Sequence, residues 1–410
     1  MKHTKVCIVG AGPAGSIAAL FLAKFGINCI LIDKAKFPRE KICGDGISGW
    51  VNTVLNELDN DLLIRLAQQP YMLHSYGIRI VAPNSKHIDL PFLDDNNFGE
   101  NIPPGFIAKR IHFDSFLIDE VKKRPEIELL EETEITNFDY DAGGVVLSNE
   151  KTKIHSKIAI LANGANSAFM KSPGGIVKDK NYTMTGLRAY YSGVTGFHEK
   201  NYVELHFLKG LLPGYFWIFP LSGGMANVGV GLDRYRINKR KLNLKKVMLD
   251  SVENIPYLKE RFVNAKLESK IEAYTLPLWD KRRKISGNNF MLAGDVASLI
   301  DPVTGEGMGH AAISGMLAAK QVIKSLEENN FSAAFMQQYD NSIYNKIGNE
   351  LSISSKIPKF IKHAWLFNGV VNKAVKSKTL QHRLTEAMSD LEVRKKLKQP
   401  SLYLKILLGR

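Results

Sequence analysis

The spacing of apolar residues changes period several times along the chain, and each change predicts a different element. Lys5-Val-Cys-Ile-Val is a β-prone run ending in glycines, a second strand closes on Asp33, and between them a helix opens at Pro13 and stops at Gly26. Val51, Val54, Leu55, Leu58, Leu62 and Leu66 recur at helical spacing. Over residues 75–90 the period falls to two: Gly77-Ile-Arg-Ile-Val, a turn at Pro83-Asn84-Ser85 and His87-Ile-Asp-Leu predict a hairpin. A strand at 105–109 then enters a helix at Arg110, close to the first glycines if that strand joins the same sheet, and residues 127–161 read as strands. Residues 181–286 are again almost entirely strands, with a basic helix near 239–252. A strand ending at Gly294-Asp295 precedes a small-residue helix through Ala311, Ala312, Gly315, Ala318 and Ala319, and residues beyond 330 look helical and basic.

The first of these patterns carries chemistry. Gly10-Ala-Gly12-Pro-Ala-Gly15 lies between a strand and a helix, and Asp33 ends the next strand, which is the βαβ fingerprint of a dinucleotide site. Gly10 suits the tight turn, Gly12 lets the backbone approach a pyrophosphate, and Gly15 lets helix and sheet pack closely. The pyrophosphate is expected on the helix N-terminus behind Pro13 and Ala14, and Asp33, followed by Lys34, on the adenosine ribose. The second constellation pairs Asp295 with Asp301-Pro302-Val-Thr-Gly305-Glu306-Gly307-Met308, where a glycine-bounded helix start aims its positive dipole end at developing negative charge.

These elements predict an α/β fold: a Rossmann-like nucleotide domain from 1–74, 101–180 and 287–325, an inserted, mainly antiparallel β-sheet substrate domain from 75–100 and 181–286, and a basic helical C-terminal region from 326–410. In the substrate domain, Tyr215-Phe-Trp217-Ile-Phe219-Pro220 alternates, so Tyr215, Trp217 and Phe219 share one face, suited either to a pocket or to a core.

Composition narrows the class. The three cysteines, Cys7, Cys29 and Cys43, all precede residue 44, which excludes a disulfide framework or four-thiolate metal site and fits a reducing cytoplasm. No secretory segment is expected ahead of a strand that starts near Lys5, and no apolar run reaches the ~18 residues of a spanning helix. The net charge of +14 is concentrated late, with 14 Lys/Arg against 5 Asp/Glu over 331–410. That surplus suits an anionic membrane surface or a solvated helical face, and nucleic acid is not the expected partner. The stretch Ile357, Phe360, Ile361, Ala364 and Trp365 reads as an amphipathic face for peripheral contact at the inner side of a membrane.

The chain resembles the flavoproteins built on the hydroxybenzoate-hydroxylase plan, and more narrowly the geranylgeranyl reductase family. The resemblance rests on residues 10–15 with Asp33, Lys41-Ile-Cys43-Gly44, Arg110 with Asp114, Ala162-Asn-Gly-Ala-Asn-Ser167, Pro213-Gly-Tyr-Phe-Trp-Ile-Phe-Pro220, Val228-Gly-Val-Gly231, Gly294-Asp295 and residues 302–307. It implies FAD held by the fingerprint, Arg110, Gly164, Asp295 and residues 302–308, with Cys43 and Gly44 beside the isoalloxazine and Cys43 as the catalytic candidate. It also implies an aromatic roof of Tyr215, Trp217, Phe219 and Pro220 over a small-molecule apolar substrate, and reduction of C=C bonds in an isoprenoid or other long chain. The alternative on the same plan is a monooxygenase or halogenase, although the halogenase pattern Trp-x-Trp-x-Ile-Pro is met only in part. Asn163 stands where the family usually has aspartate, so a transient NAD(P)H donor stays open. His310 reads as a helix-turn histidine rather than a proton donor.

Overall fold

The computed structural model describes residues 1–92, 102–141, 143–165 and 182–389; Asn166, Ser167 and the basic run beyond 389 lie outside them. The nucleotide half is built on a parallel sheet in the order Phe290–Leu292, Lys153–Leu161, Lys2–Val9, Cys29–Ile32, Ile127–Leu130. Gly144–Ser148 and Asn137–Asp141 extend it antiparallel from the strand Lys153–Leu161. Such a sheet is covered on its faces, which is why its central strands read as continuous apolar runs. The helix Pro13–Lys24 is buried along residues 13–23, between the sheet and the helix Met308–Glu327. That contact explains two glycines: a Cβ on Gly15 would lie 1.8 Å from the Gly10 carbonyl oxygen, and one on Gly315 would lie 2.1 Å from that of Ala14.

The second half is a mainly antiparallel sheet in the order Thr183–Ser192, Met225–Asp233, Tyr215–Leu221, Val203–His206, Gly77–Val81, His87–Pro91, with Glu272–Pro277 on the free side of the first strand. The expected hairpin is its far edge and joins Val203–His206 in parallel. Because side chains alternate along each strand, Phe216, Ile218, Val228 and Val230 pack outward under the helices Leu244–Asn254 and Pro256–Arg261, while Tyr215 and Trp217 face the other half.

Three local expectations change. Residues 50–68 form two helices, Gly49–Leu58 and Asn60–Ala67, because the Asp59 side chain accepts from the Asp61 amide and starts a second helix. The basic segment likewise splits into Arg234–Arg240 and Leu244–Asn254, broken by Lys241 at a φ of 50° and capped anew by Asn243. The strand Gly105–Ile107 does not join the nucleotide sheet; it pairs with Gly46–Ile47 and Leu73–Ser75 in a small sheet between the two halves.

The C-terminal helices Pro358–Ile361, Ala364–Lys376 and Lys378–Ser389 return to the hairpin edge. Asn84 at the hairpin turn is tied to them, its amide to Asn368 Oδ1 at 3.2 Å and its Nδ2 to Asn372 Oδ1 at 3.0 Å. Ile361, Val371 and Ala374 are buried in one cluster with Ile78, Leu90 and Trp217.

Candidate functional site

A continuous cavity of about 1200 Å³ runs between the two halves and collects nearly all of the expected site residues. At its nucleotide end lie Gly10, Gly12, Pro13 and Ala14, with Asp33 and Lys34 across from them. Asp33 is buried and holds the turn by accepting from the Ala11 amide at 2.8 Å and the Ala35 amide at 2.9 Å. Helix Pro13–Lys24 has no side-chain cap, so its first N–H groups are left for a ligand. A Cβ on Gly12 would meet only the tip of Arg39, at 3.8 Å, and one on Gly164 would meet nothing within 4 Å. Asn163 Oδ1 beside them is buried without a hydrogen-bond partner. An open glycine cradle, an uncapped helix start and an orphaned polar atom fit a bound dinucleotide such as FAD.

In the middle of the cavity the loop before helix Met308–Glu327 brings in Asp295, Gly305, Glu306, Gly307 and Met308. The loop is held by Asp301, whose Oδ1 accepts from the Val303 amide at 2.8 Å and the Thr304 amide at 2.9 Å. Glu306 is fixed by Ser48 Oγ at 2.8 Å and the Gly309 amide at 2.6 Å, and burial raises its carboxyl above the ordinary value. Tyr215 donates its hydroxyl to the Thr304 carbonyl at 2.6 Å, bracing the roof strand against this loop. Pro302 and Gly15 support the backbone without lining the cavity, and Pro220, one residue out of phase with Phe219, does not reach it.

Opposite sits Cys43. Burial raises its thiol above the ordinary value, although the Arg110 cation and the Asp45 backbone amide both favour the thiolate. Arg110 is itself buried and bidentate to Asp114, at 2.8 Å on both arms, with Arg39 adding a contact at 3.1 Å. Lys41 stacks its ammonium 3.4 Å from the Tyr274 ring centroid, and burial lowers it to about 8 despite the nearby Asp295 carboxylate. His310 lies off the cavity with Nδ1 2.7 Å from the Leu299 carbonyl oxygen.

Beyond Cys43 the inner face of the substrate sheet changes character from edge to edge. In one row of the register, Ile88, Ile80, Leu205, Trp217, Gly229, Arg188 and Glu272 follow one another across successive strands. The face is aliphatic at the hairpin, aromatic in the middle, bare at the glycine and charged at the far edge. The aliphatic end is closed by Ile357, Phe360, Ile361, Phe367 and Val371, with Phe207 edge-on to Phe367 at 4.9 Å. The stretch expected to face a membrane is therefore turned inward at Ile357, Phe360 and Ile361, and Trp365 alone among those five is exposed, at 69%.

Sequence reasoning missed a polar strap at this level. Asp45, fully buried, accepts from Tyr190 Oη and Asn227 Nδ2 through Oδ2, both at 2.8 Å, and Asn227 also donates to the Cys43 carbonyl at 2.8 Å. Its only sequence signals were an acid between two glycines, Gly44 and Gly46, and one asparagine in the Gly/Val strand.

Comparison with known proteins agrees with this geometry. Residues 4–201 match the pyridine nucleotide-disulphide oxidoreductase family. Digeranylgeranylglycerophospholipid reductase of Thermoplasma acidophilum is 29% identical over 355 residues, covering 84% of each chain. A geranylgeranyl bacteriochlorophyll reductase-like protein of the same organism superposes with a TM-score of 0.80 at 25% identity, over 97% of this chain and 99% of the other. A flavin-dependent brominase shares the fold with a TM-score of 0.76 at 19% identity, over 94% and 93%.

Proposed function

We propose that this chain, an FAD-binding oxidoreductase scaffold related to geranylgeranyl reductases and flavin halogenases, reduces C=C bonds in an isoprenoid or other long apolar substrate. The observation that carries the reading is the aliphatic arm of the cavity, walled by the hairpin and the C-terminal helices and opening onto Trp217 and Cys43. A site for a compact aromatic substrate needs no such arm.

FAD would be held by the glycine turn and Asp33 at its adenosine end, by Arg110 and Asp295 in the middle, and by residues 305–308 at the ring. When bound and reduced it supplies hydride chemistry. The chain's own part is to orient the alkene under Tyr215, Trp217 and Phe219, to exclude water with the aliphatic wall, and to supply the proton that completes saturation. Cys43 suits the last task, because burial keeps its proton on Sγ at neutral pH. Lys41, lowered to about 8, holds a cation beside Asp295 on the cofactor side. NAD(P)H is the simplest donor to refill the cofactor, and anaerobic bleaching of the flavin by NADPH or NADH, set against dithionite alone, separates it from a protein donor.

Anaerobic turnover of a prenylated substrate with pre-reduced enzyme tests the reading. Saturated product without oxygen supports it; strict oxygen dependence with a hydroxylated or halogenated product establishes the alternative, for which the brominase-like fold is the motivation.

Peripheral membrane contact belongs to the same proposal. Exposed Trp365 lies in the C-terminal helical region, close in sequence to the exposed Lys356, Lys359 and Lys362, and among the described residues no helix is long and apolar enough to cross a bilayer. Co-sedimentation with anionic but not neutral vesicles, lost in Trp365→Ala, is the expected result.

A further inference from the structure

Asp45 is a buried carboxyl through which both halves of the molecule meet beside Cys43. Its loop belongs to the nucleotide half and follows Cys43 by two residues, and its φ of 68° places the backbone in the left-handed region. Its side chain makes three contacts to three other elements: Tyr190 Oη and Asn227 Nδ2 on Oδ2, each at 2.8 Å, and the Arg110 amide on Oδ1 at 3.2 Å. Asn227 passes the connection on in two directions, donating to the Cys43 carbonyl at 2.8 Å and accepting from Trp217 Nε1 at 2.9 Å. The loop that carries the thiol and the indole that roofs the cavity are thus held by one asparagine, and that asparagine is held by one carboxylate.

We propose that Asp45 is a positioning residue that straps the Cys43 loop to the Trp217 roof, and that the strap is fastened in the carboxylate form and released by protonation.

The reason lies in the donors around it. Tyr190, Asn227 and the Arg110 amide all present hydrogens, so an ionised carboxyl satisfies all three, whereas a carboxylic acid brings a fourth hydrogen that only the Tyr190 oxygen can accept, and then only if the phenol turns its own hydrogen away from the strap. The titratable groups facing the site are Arg188 from the Tyr190 strand and the neutral Cys43 thiol from its own loop, with the Arg110 side chain lying against that thiol. Arg188 stacks on the Tyr190 ring at 4.2 Å, and Lys109 lies over the same ring at 4.5 Å. Burial raises the Asp45 carboxyl from 3.8 to about 6, opposed by the Asn227 and Tyr190 hydrogen bonds and by Arg188, so the group changes state just below neutrality. The strap is then fastened at pH 7 and opens as the pH falls through about 6. If the chain is the reductase proposed above, turnover acquires an acid limb there through alignment of roof and thiol, without Asp45 touching the substrate.

The experiment follows intrinsic tryptophan emission of the purified full chain between pH 5 and 8, with no substrate present. The expected result is a titration with a midpoint near 6 whose amplitude is lost in Trp217→Phe and which is absent in Asp45→Asn. The asparagine keeps one oxygen for Tyr190 and Asn227 but cannot titrate. Tyr190→Phe removes a hydrogen bond that favours the carboxylate, and it should move the midpoint upward by about half to one unit. A flat wild-type profile, a midpoint that survives in Asp45→Asn, or one unmoved in Tyr190→Phe overturns the proposal. Because the readout needs no turnover, a failure to find alkene reduction would remove the functional reading and leave this one standing.

Discussion

The two ends of the cavity are built on opposite principles. At the nucleotide end the wall is main chain: Gly12 and Gly164 leave space, the nearest side chain to a Cβ on Gly12 being 3.8 Å away, while Gly10, whose Cβ would lie 2.4 Å from the Ala162 carbonyl oxygen, makes the turn behind them. At the aliphatic end the wall is side chain throughout, from Ile78, Leu90, Leu205 and Phe207 to Phe367 and Val371. A backbone cradle recognises a group found in every copy of a cofactor, so it tolerates little change. A wall of aliphatic side chains recognises only shape and length, so it can be refitted by substitution. The first end fixes what kind of chemistry is available, and the second fixes what it is applied to.

The sharpest break in that comparison is Gly12→Val. The fold has room for the side chain and the cradle does not, so the apoprotein should melt within a few degrees of wild type while FAD affinity falls by ~100-fold or more, measured by flavin retention and calorimetric titration. A fall in melting temperature comparable to that of Gly15→Ala, whose Cβ would lie 1.8 Å from a carbonyl oxygen, would show that Gly12 serves packing instead.

Next comes Val371→Asp. Val371 is fully buried against the hairpin, and an unpaired carboxylate there should cost roughly 3–5 kcal/mol locally, by analogy with a broken buried ion pair. Hydrogen exchange should rise over 358–389 while FAD stays bound. Loss of FAD together with that exchange would mean that the two ends are not separable.

A smaller effect is expected from Leu205→Trp, which narrows the arm one register step from Trp217. kcat/KM for a twenty-carbon prenyl substrate should fall by about tenfold, with a short prenyl analogue unaffected, on the scale of a few misfitted methylenes. Equal losses on both substrates would place the chain elsewhere.

The smallest effect concerns neither end and serves as a control. On the outer face of the same sheet, Glu204 and His206 are buried together, His206 Nε2 3.1 Å from Glu204, with Arg261 also bound to the carboxylate. Burial works against the Glu204 charge, yet the His206 and Arg261 hydrogen bonds hold its carboxyl below the ordinary value, and burial lowers His206 below 6.5. Both groups bind protons more weakly folded than unfolded, so stability present at pH 7 is lost as the pH drops below about 6.5. A melting temperature that falls by a few degrees between pH 7 and 5 in wild type, and by more in Glu204→Gln because the carboxylate that supports the His206 proton is gone, is the expected outcome.

Much of the nucleotide end was legible because a backbone cradle writes itself into the sequence as glycine at fixed spacing, and Asp33 closes it within one βαβ unit. The roof strand was legible because period two is a local property, and it separated Tyr215, Trp217 and Phe219 from Phe216 and Ile218 correctly. Pro220 was grouped with the roof by adjacency although alternation puts it out of phase. The strap of Asp45, Tyr190 and Asn227 was not legible, since its members lie 145 and 182 positions apart and no periodicity links them. The packing of the C-terminal helices was not legible for a different reason. An amphipathic face looks the same whether it meets lipid or the protein's own hairpin, and only the fold turned Ile357, Phe360 and Ile361 inward.

The placement of those helices makes the molecule modular in an unusual sense. The helical wall of the arm comes from one contiguous segment, residues 357–384, that contributes none of the cofactor-cradle residues. If the chain is the reductase proposed above, chain-length preference can therefore drift, or be transplanted between relatives, as a single cassette, while the nucleotide half stays unaltered.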